Sequence, residues 1–315
     1  MTWGLAHGRA MIRAAQAHRD LDLDQSRYVD VYQALHRAGL MVICTPMSAL
    51  FGAYLPAAVG SGGRKAGVLL NSHRSVIDQR HSAAHELGHH VFGHGECVSE
   101  GSQVFEDNDP GAWPVREKEA EAFAAWFLMP RVATRKVIAA LGVEAITRPD
   151  EVYQIGLHLG TSYQGTLRHL ASLKLISSAN ARSWARLPRG KVRARAVGRA
   201  ASSPGNDIWV LGPAAHGATL HVRPGDRLVV SLSSTTDSAA ETLSQPAGVR
   251  RAISPSGDEA GMLGFELDLD DPLEFDITDQ FSAGGPLRHP AAGRLGWEVT
   301  LAPVRVPRVG FNEPD

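Results

Sequence analysis

The stretch Ala83-Ala84-His85-Glu86-Leu87-Gly88-His89 constrains this chain more than any other. Alanine, leucine and glutamate favour helix, and on a helix positions i and i+4 share a face. His85 and His89 can therefore offer imidazole nitrogens to one metal ion, with Glu86 beside that ion rather than on it. There Glu86 can take a proton from a water that the metal has made acidic. A catalytic zinc takes three protein ligands and keeps one position open, so the fold must bring a second element against the motif helix.

Composition sets the outer bounds. The 315 residues carry 32 Lys and Arg against 33 Asp and Glu, a formal net charge of −1, which excludes a polyanion binder by bulk charge. That length is enough for about two or three domains. The cysteines, Cys44 and Cys97, are too few for a disulfide framework and suit a reducing compartment. No basic segment followed by an apolar one opens the chain, and no apolar run reaches the length of a membrane span. The expectation is a soluble, cytoplasmic protein with no membrane partner; the sequence sets no oligomeric state.

Residues 5–40 read as helical, Leu40–Cys44 and Gly67–Asn71 as strands, and residues 51–65 as a turn-rich loop marked by Gly60, Gly62 and Gly63. The motif helix runs from Ser75 to Phe92. A polar loop over 95–114 leads to a helix opened by Pro114 and closed by Pro130. Residues 131–177 hold three short helices, of which Glu151–Leu159 and the one capped by Thr161 or Ser162 have helix-turn-helix spacing. A basic connector follows, with Arg182, Arg186, Arg189, Lys191, Arg193, Arg195 and Arg199 and no acid between them. From Asp207 the pattern turns to short strands, among them Asp207–Leu211, Ala218–Val222, Arg227–Leu232, Leu263–Leu267 and Trp297–Leu301, and grows acidic from Asp258 to Asp279. The expected fold class is α+β multidomain. A mainly helical zincin-like peptidase core with a small sheet occupies 1–130, a helix-turn-helix-like helical subdomain 131–180, a basic linker 181–205, and an all-β sandwich or barrel 206–315.

The third ligand is the open question. A metzincin needs Gly three residues after His89 and His three further on, but Phe92 and Gly95 stand there and His94 is one residue out of register. On a continuing helix His94 points away from the His85/His89 face, so His90 and His94 read as solvent-facing or outer groups. His81 lies on the ligand face, yet three histidines at i, i+4 and i+8 spread too far to chelate one ion. The ligand should come from the helix after Pro114. Glu117 shares a stripe with Ala120, Ala124 and Leu128, which can pack closely on Ala84 and Gly88. Glu121 lies one turn on, on the same side, and Glu119 points elsewhere. The helix dipole favours an acidic first turn in any case, so the residues leave the choice among Glu117, Glu119 and Glu121 open.

The run Arg80-His81-Ser82-Ala83-Ala84-His85-Glu86-Leu87-Gly88-His89, followed by Glu117-Lys118-Glu119-Ala120-Glu121-Ala122-Phe123-Ala124-Ala125-Trp126-Phe127-Leu128-Met129-Pro130, resembles the ImmA/IrrE family of metallopeptidases. The resemblance spans roughly residues 25–180, and Asn71 after its strand fits it too. His81 stands where the family usually has Phe, and Trp126-Phe127 where a polar residue and Leu are common. The resemblance implies a gluzincin-like site: Zn2+ held by His85, His89 and Glu117, with Glu86 as general base. It implies a protein substrate of the transcriptional-repressor class, cleaved in a stress response or in mobile-element control. The strand around Val68-Leu69-Leu70 is expected to pair with an extended substrate, and His73, Tyr54 and His81 are candidates for the oxyanion. In the family a helix-turn-helix-like segment often follows the core, here Glu151–Leu175. DNA contact through residues 151–199 is one reading of it; a helical subdomain completing the core is the favoured one, since Tyr163-Gln164-Gly165 offers few contacts while Arg168 and His169 offer some. The rival function is a non-proteolytic regulator binding DNA or a protein. Val222–Leu232 with Gly296–Val299 resembles the chagasin-like peptidase-inhibitor sandwich at a few positions, which implies substrate recruitment or regulation in cis.

Overall fold

The computed structural model describes residues 2–57, 65–95, 97–100, 113–197, 207–211, 214, 219–222, 226–231, 249–253, 262–267, 287–289 and 295–301. They fall into two compact units, within residues 1–133 and within 134–304. The expected glycine turn at Gly60, Gly62 and Gly63, most of the 95–114 loop, and most of the acidic stretch Asp258–Asp279 lie outside the described residues.

The first unit opens with α1 (Trp3–Asp20), which buries Ala6, Ala10, Ala14 and Ala17. These residues recur every three or four positions, so one face of the helix is nearly smooth. That face lies against α4 (Val115–Leu128), and the buried His18 pins the seam with Nε2 3.0 Å from the Phe127 carbonyl. The short α2 (Val31–Arg37) starts at Asp30, whose carboxylate accepts from the Tyr32 and Gln33 N–H groups. Four strands follow the order β1-β3-β2-β4: β1 (Met41–Thr45), β2 (Leu50–Leu55), β3 (Gly67–Asn71) and β4 (Cys97–Glu100). β1 and β3 are parallel, and β2 runs antiparallel to β3 and β4.

Two expectations change here. Residues 51–55, the start of the stretch read as loop, belong to a strand, Leu50–Leu55; Gly52 and Ala53 are poor strand formers and hid it. The strand expected to receive substrate, around Val68–Leu70, is interior and paired on both sides, so the sheet's edges are β1 and β4. Asn71 explains how β1 and β2 connect. Its Nδ2 donates to the carbonyls of Met47 and Leu50, at 2.7 Å each. Its Oδ1 accepts from the N–H groups of Met47 and His73 at 3.1 and 3.0 Å. One buried amide thus fixes the β1–β2 turn against the end of β3.

The motif helix, α3 (Val76–Phe92), begins at Ser75, which caps the Asp78 N–H, and ends at Gly93 in the left-handed region with φ 68°. Gly88 lets α4 come close. A Cβ there would lie 3.1 Å from Ala120 Cα and 3.1 Å from Phe123 Cδ1.

The next helix along the chain is α5 (Arg131–Ala140). The second unit continues with α6 (Pro149–Leu159), α7 (Tyr163–Ser172), α8 (Ser178–Ala185) and α9 (Arg189–Val197). Two helices therefore occupy much of the stretch expected as a connector. α6 is bound to β5 (Ile208–Leu211): Tyr153 donates to Asp207 at 2.8 Å, and Gln154 donates to the Ile208 carbonyl and accepts from Val210. Further strands are β6 (Thr219–Val222), β7 (Arg227–Ser231), β8 (Val249–Ile253), β9 (Met262–Leu267), β10 (Leu287–His289) and β11 (Leu295–Leu301). They form sheets ordered β5-β7-β9-β8 and β10-β11-β6. Among the described residues no helix is long and apolar enough to cross a membrane.

Candidate metal centre

The spacing of His85 and His89 does what helical geometry dictates, and both imidazoles turn their Nε2 atoms to one point. Those atoms lie 3.1 Å apart. Glu117, in the first turn of α4, brings Oε2 to 3.2 Å from His85 Nε2 and 3.5 Å from His89 Nε2. Metal bonds of about 2.0–2.2 Å at tetrahedral angles separate ligand atoms by about 3.3–3.6 Å. The three donors thus fit one small tetrahedral ion with a fourth position left over. His85 and His89 are buried, whereas the Glu117 side chain keeps 17% exposure, so the centre opens on the Glu117 side.

Glu86 is wholly buried. It lies under β2, where Gly52 makes room: a Cβ on Gly52 would stand 2.9 Å from Glu86 Oε1. The weak strand former that hid β2 is therefore the residue that admits this carboxylate.

Electrostatics follow from crowding three donors into a buried site. Burial alone lowers the His85 pKa, but hydrogen bonds to Glu117 and Glu121, with the Glu86 charge nearby, outweigh it and push the group up to about 10. His89 goes down to about 4, chiefly through burial. Burial opposes ionisation of Glu117, yet its hydrogen bonds to His85 and His89 win and hold it far below the ordinary carboxylate range. The mutual hydrogen bonds of His85 and Glu117 thus favour a proton on the imidazole and a negative charge on the carboxylate.

The remaining acids of α4 face other histidines. Glu121 Oε2 lies 2.8 Å from His81 Nε2 and 3.5 Å from His85 Nδ1. His81, His85 and Glu121 make a second His/Glu group that shares His85 with the first. Glu119, expected to point elsewhere, is buried and its Oε2 lies 3.2 Å from His94 Nε2. His94 does not point away either, because α3 stops at Gly93. The left-handed residue folds the chain back, the His94 N–H donates to the His89 carbonyl at 2.9 Å, and the two Nδ1 atoms meet at 2.9 Å. The helix ends at Phe92 as the sequence suggests, and His94 is an outer group; the left-handed turn at Gly93 is what brings it to His89. Arg9, which pairs with Glu119 from α1, and Gly52 carried no local signal.

Of the oxyanion candidates, the buried Tyr54 bonds His90 Nδ1 at 3.1 Å and His81 is held by Glu121. His73 has its backbone N–H on Asn71. In the second unit, Tyr163 and Gln164 at the start of α7 donate to the Trp184 and Ala185 carbonyls of α8, and His169 is buried.

Residues 37–145 match the family model of the IrrE N-terminal-like domain, a peptidase family. That segment contains both motif helices and every residue of the His/Glu cluster, and it supports the ImmA/IrrE resemblance and a metallopeptidase-type function. The IrrE N-terminal-like match leaves α1 and everything beyond residue 145 outside it. No curated protein matches the chain.

Proposed function

We propose that this chain is a zinc-dependent endopeptidase that cleaves a regulatory protein of the transcriptional-repressor class, in a stress response or in mobile-element control. The observation that carries the reading is the convergence of His85, His89 and Glu117 donor atoms within 3.5 Å of one another, with Glu86 buried beside His85 on α3. Those three side chains would hold the ion, which supplies Lewis acidity to a peptide carbonyl and to water. Glu86 takes a proton from the attacking water on its carboxylate and returns it to the leaving amine. Gly52 of β2 leaves the room that this carboxylate occupies. An extended substrate would add to β4, the edge strand that neighbours β2. The strands after residue 207 would form the sandwich-like domain that recruits the substrate in the cytoplasm.

The rival, a regulator that binds DNA through residues 151–199, has fewer groups at its disposal than the sequence suggests. Arg189 pairs with Asp207, Arg195 lies 3.8 Å from Asp150, and Arg193 is buried. Arg168, Arg182, Arg186 and Lys191 are exposed.

The deciding experiment is N-terminal proteomics of cells carrying the wild-type chain or Glu86→Gln. The proposal expects a new N-terminus in a DNA-binding regulator that the variant does not produce. Identical N-terminal profiles, or DNA binding that falls with salt and ignores Glu86→Gln, would favour the rival.

A further inference from the structure

The acid His94 rests on is not a surface acid. Glu119 is 3% exposed, and Arg9 reaches it from α1 to form an ion pair. His94 therefore joins a candidate ligand, His89, to a carboxylate anchored on two helices. The order of protons along this line is fixed by chemistry. If His89 gives Nε2 to the ion, its one N–H is at Nδ1. Two imidazole nitrogens 2.9 Å apart can bond only if one carries hydrogen and the other does not. His94 Nδ1 must then be the acceptor, and its N–H is at Nε2, 3.2 Å from Glu119 Oε2. An ionised carboxylate only accepts. Every donor along the line meets an acceptor, and the pattern has a single direction.

We propose that His94 is a positioning residue of the metal centre: together with Glu119 and Arg9 it holds the His89 ring in the tautomer and orientation that turn Nε2 towards His85 and Glu117. The inference rests on the metallopeptidase reading and extends it to a side chain outside the His-Glu-x-x-His motif. The Glu119–Arg9 pair extends the relay to α1, so the N-terminal helix helps to set the ligand. Losing an outer partner of a ligating histidine typically weakens metal binding by about 10–100-fold.

The test is the zinc dissociation constant of the full chain, measured by chelator competition, with the histidine tautomers read by 15N NMR. His94→Ala is expected to weaken zinc about 10–100-fold while the far-UV spectrum stays native. His94→Gln should recover most of the loss, because its amide oxygen can accept from His89 and its NH2 can donate to Glu119. His90→Ala, one residue from His89 but bonded to Tyr54, should bind zinc as the wild type does. If His94→Ala does not fold, Glu119→Ala reads the same relay and should also weaken zinc. Wild-type affinity in His94→Ala, or no recovery in His94→Gln, overturns the inference and leaves the metal centre standing. A wild-type chain that binds no zinc at all removes the metallopeptidase reading, and this inference with it.

Discussion

Replacing Gly52 by alanine tests whether Glu86 is held or merely near. The new Cβ would stand 2.9 Å from Glu86 Oε1, 3.1 Å from the Leu69 carbonyl oxygen and 3.3 Å from Glu86 Cγ, where ordinary contact begins at 3.4 Å. β2 cannot retreat, since Gly52 is in register with Leu70 on one side and Ser99 on the other. The carboxylate must give way by about 0.5 Å, the gap between 3.4 and 2.9 Å, and burial leaves it nowhere to go but along the site. Overpacking of this kind costs about 1–3 kcal/mol of stability. A catalytic group misplaced by about 1 Å can lose about 100-fold in rate, so half that shift predicts roughly a tenfold fall in turnover. The clash falls on none of His85, His89 and Glu117, so zinc affinity should hold. Turnover on a quenched-fluorescent peptide library, a zinc titration and a thermal melt measure the three effects separately. Wild-type turnover in a variant that has lost no stability would show that the carboxylate is not fixed by β2, and the mechanism would need another account of Glu86.

Zinc uptake should displace about one proton per ion at every pH between about 5.5 and 7, because His85 stays charged below about 10 while His89, at about 4, is already neutral. Affinity then rises about tenfold per pH unit throughout; two ordinary histidines would instead release nearly two protons at the acid end and well under one at pH 7, which calorimetry in several buffers distinguishes. Gly88→Val should force α3 and α4 apart at Ala120 and Phe123, costing at least about 1–3 kcal/mol. Its zinc affinity should fall as well, because Glu117 is carried on α4. An unchanged melt and titration would refute the close packing. Asn71→Ala removes four hydrogen bonds from the β1–β2 turn and should cost about 2–4 kcal/mol in urea unfolding; a loss below about 0.5 kcal/mol would mean the clamp is dispensable.

His85 and His89 were legible because helix periodicity alone puts them side by side. The facing of the acids on α4 was less so. Glu117, Glu119 and Glu121 differ by a rotation that local pattern constrains only loosely, and all three turned out to meet histidines: Glu117 meets His85 and His89, Glu121 meets His81 and His85, and Glu119 meets His94. β2 was hidden because a long-range need, space for Glu86, selected residues that local propensity reads as loop. His94, read from the sequence as a solvent-facing or outer group, is an outer partner of His89, but which group it meets depends on the left-handed turn at Gly93. The bond between α6 and β5 joins residues some fifty positions apart, and nothing in either segment announces its partner.

The alanine seam between α1 and α4 bears on how this chain could be divided. The segment that matches the peptidase family begins at residue 37, after α1 has ended at Asp20. Cut at that boundary, α4 would present to water the surface that Ala10, Ala14 and Ala17 now cover, and Glu119 would lose Arg9. The unit of recognisable ancestry is thus shorter than the unit of folding. A fragment built to the former is expected to aggregate or to bind metal poorly, whereas one that begins before Thr2 keeps the helix that completes the layer behind the candidate metal centre.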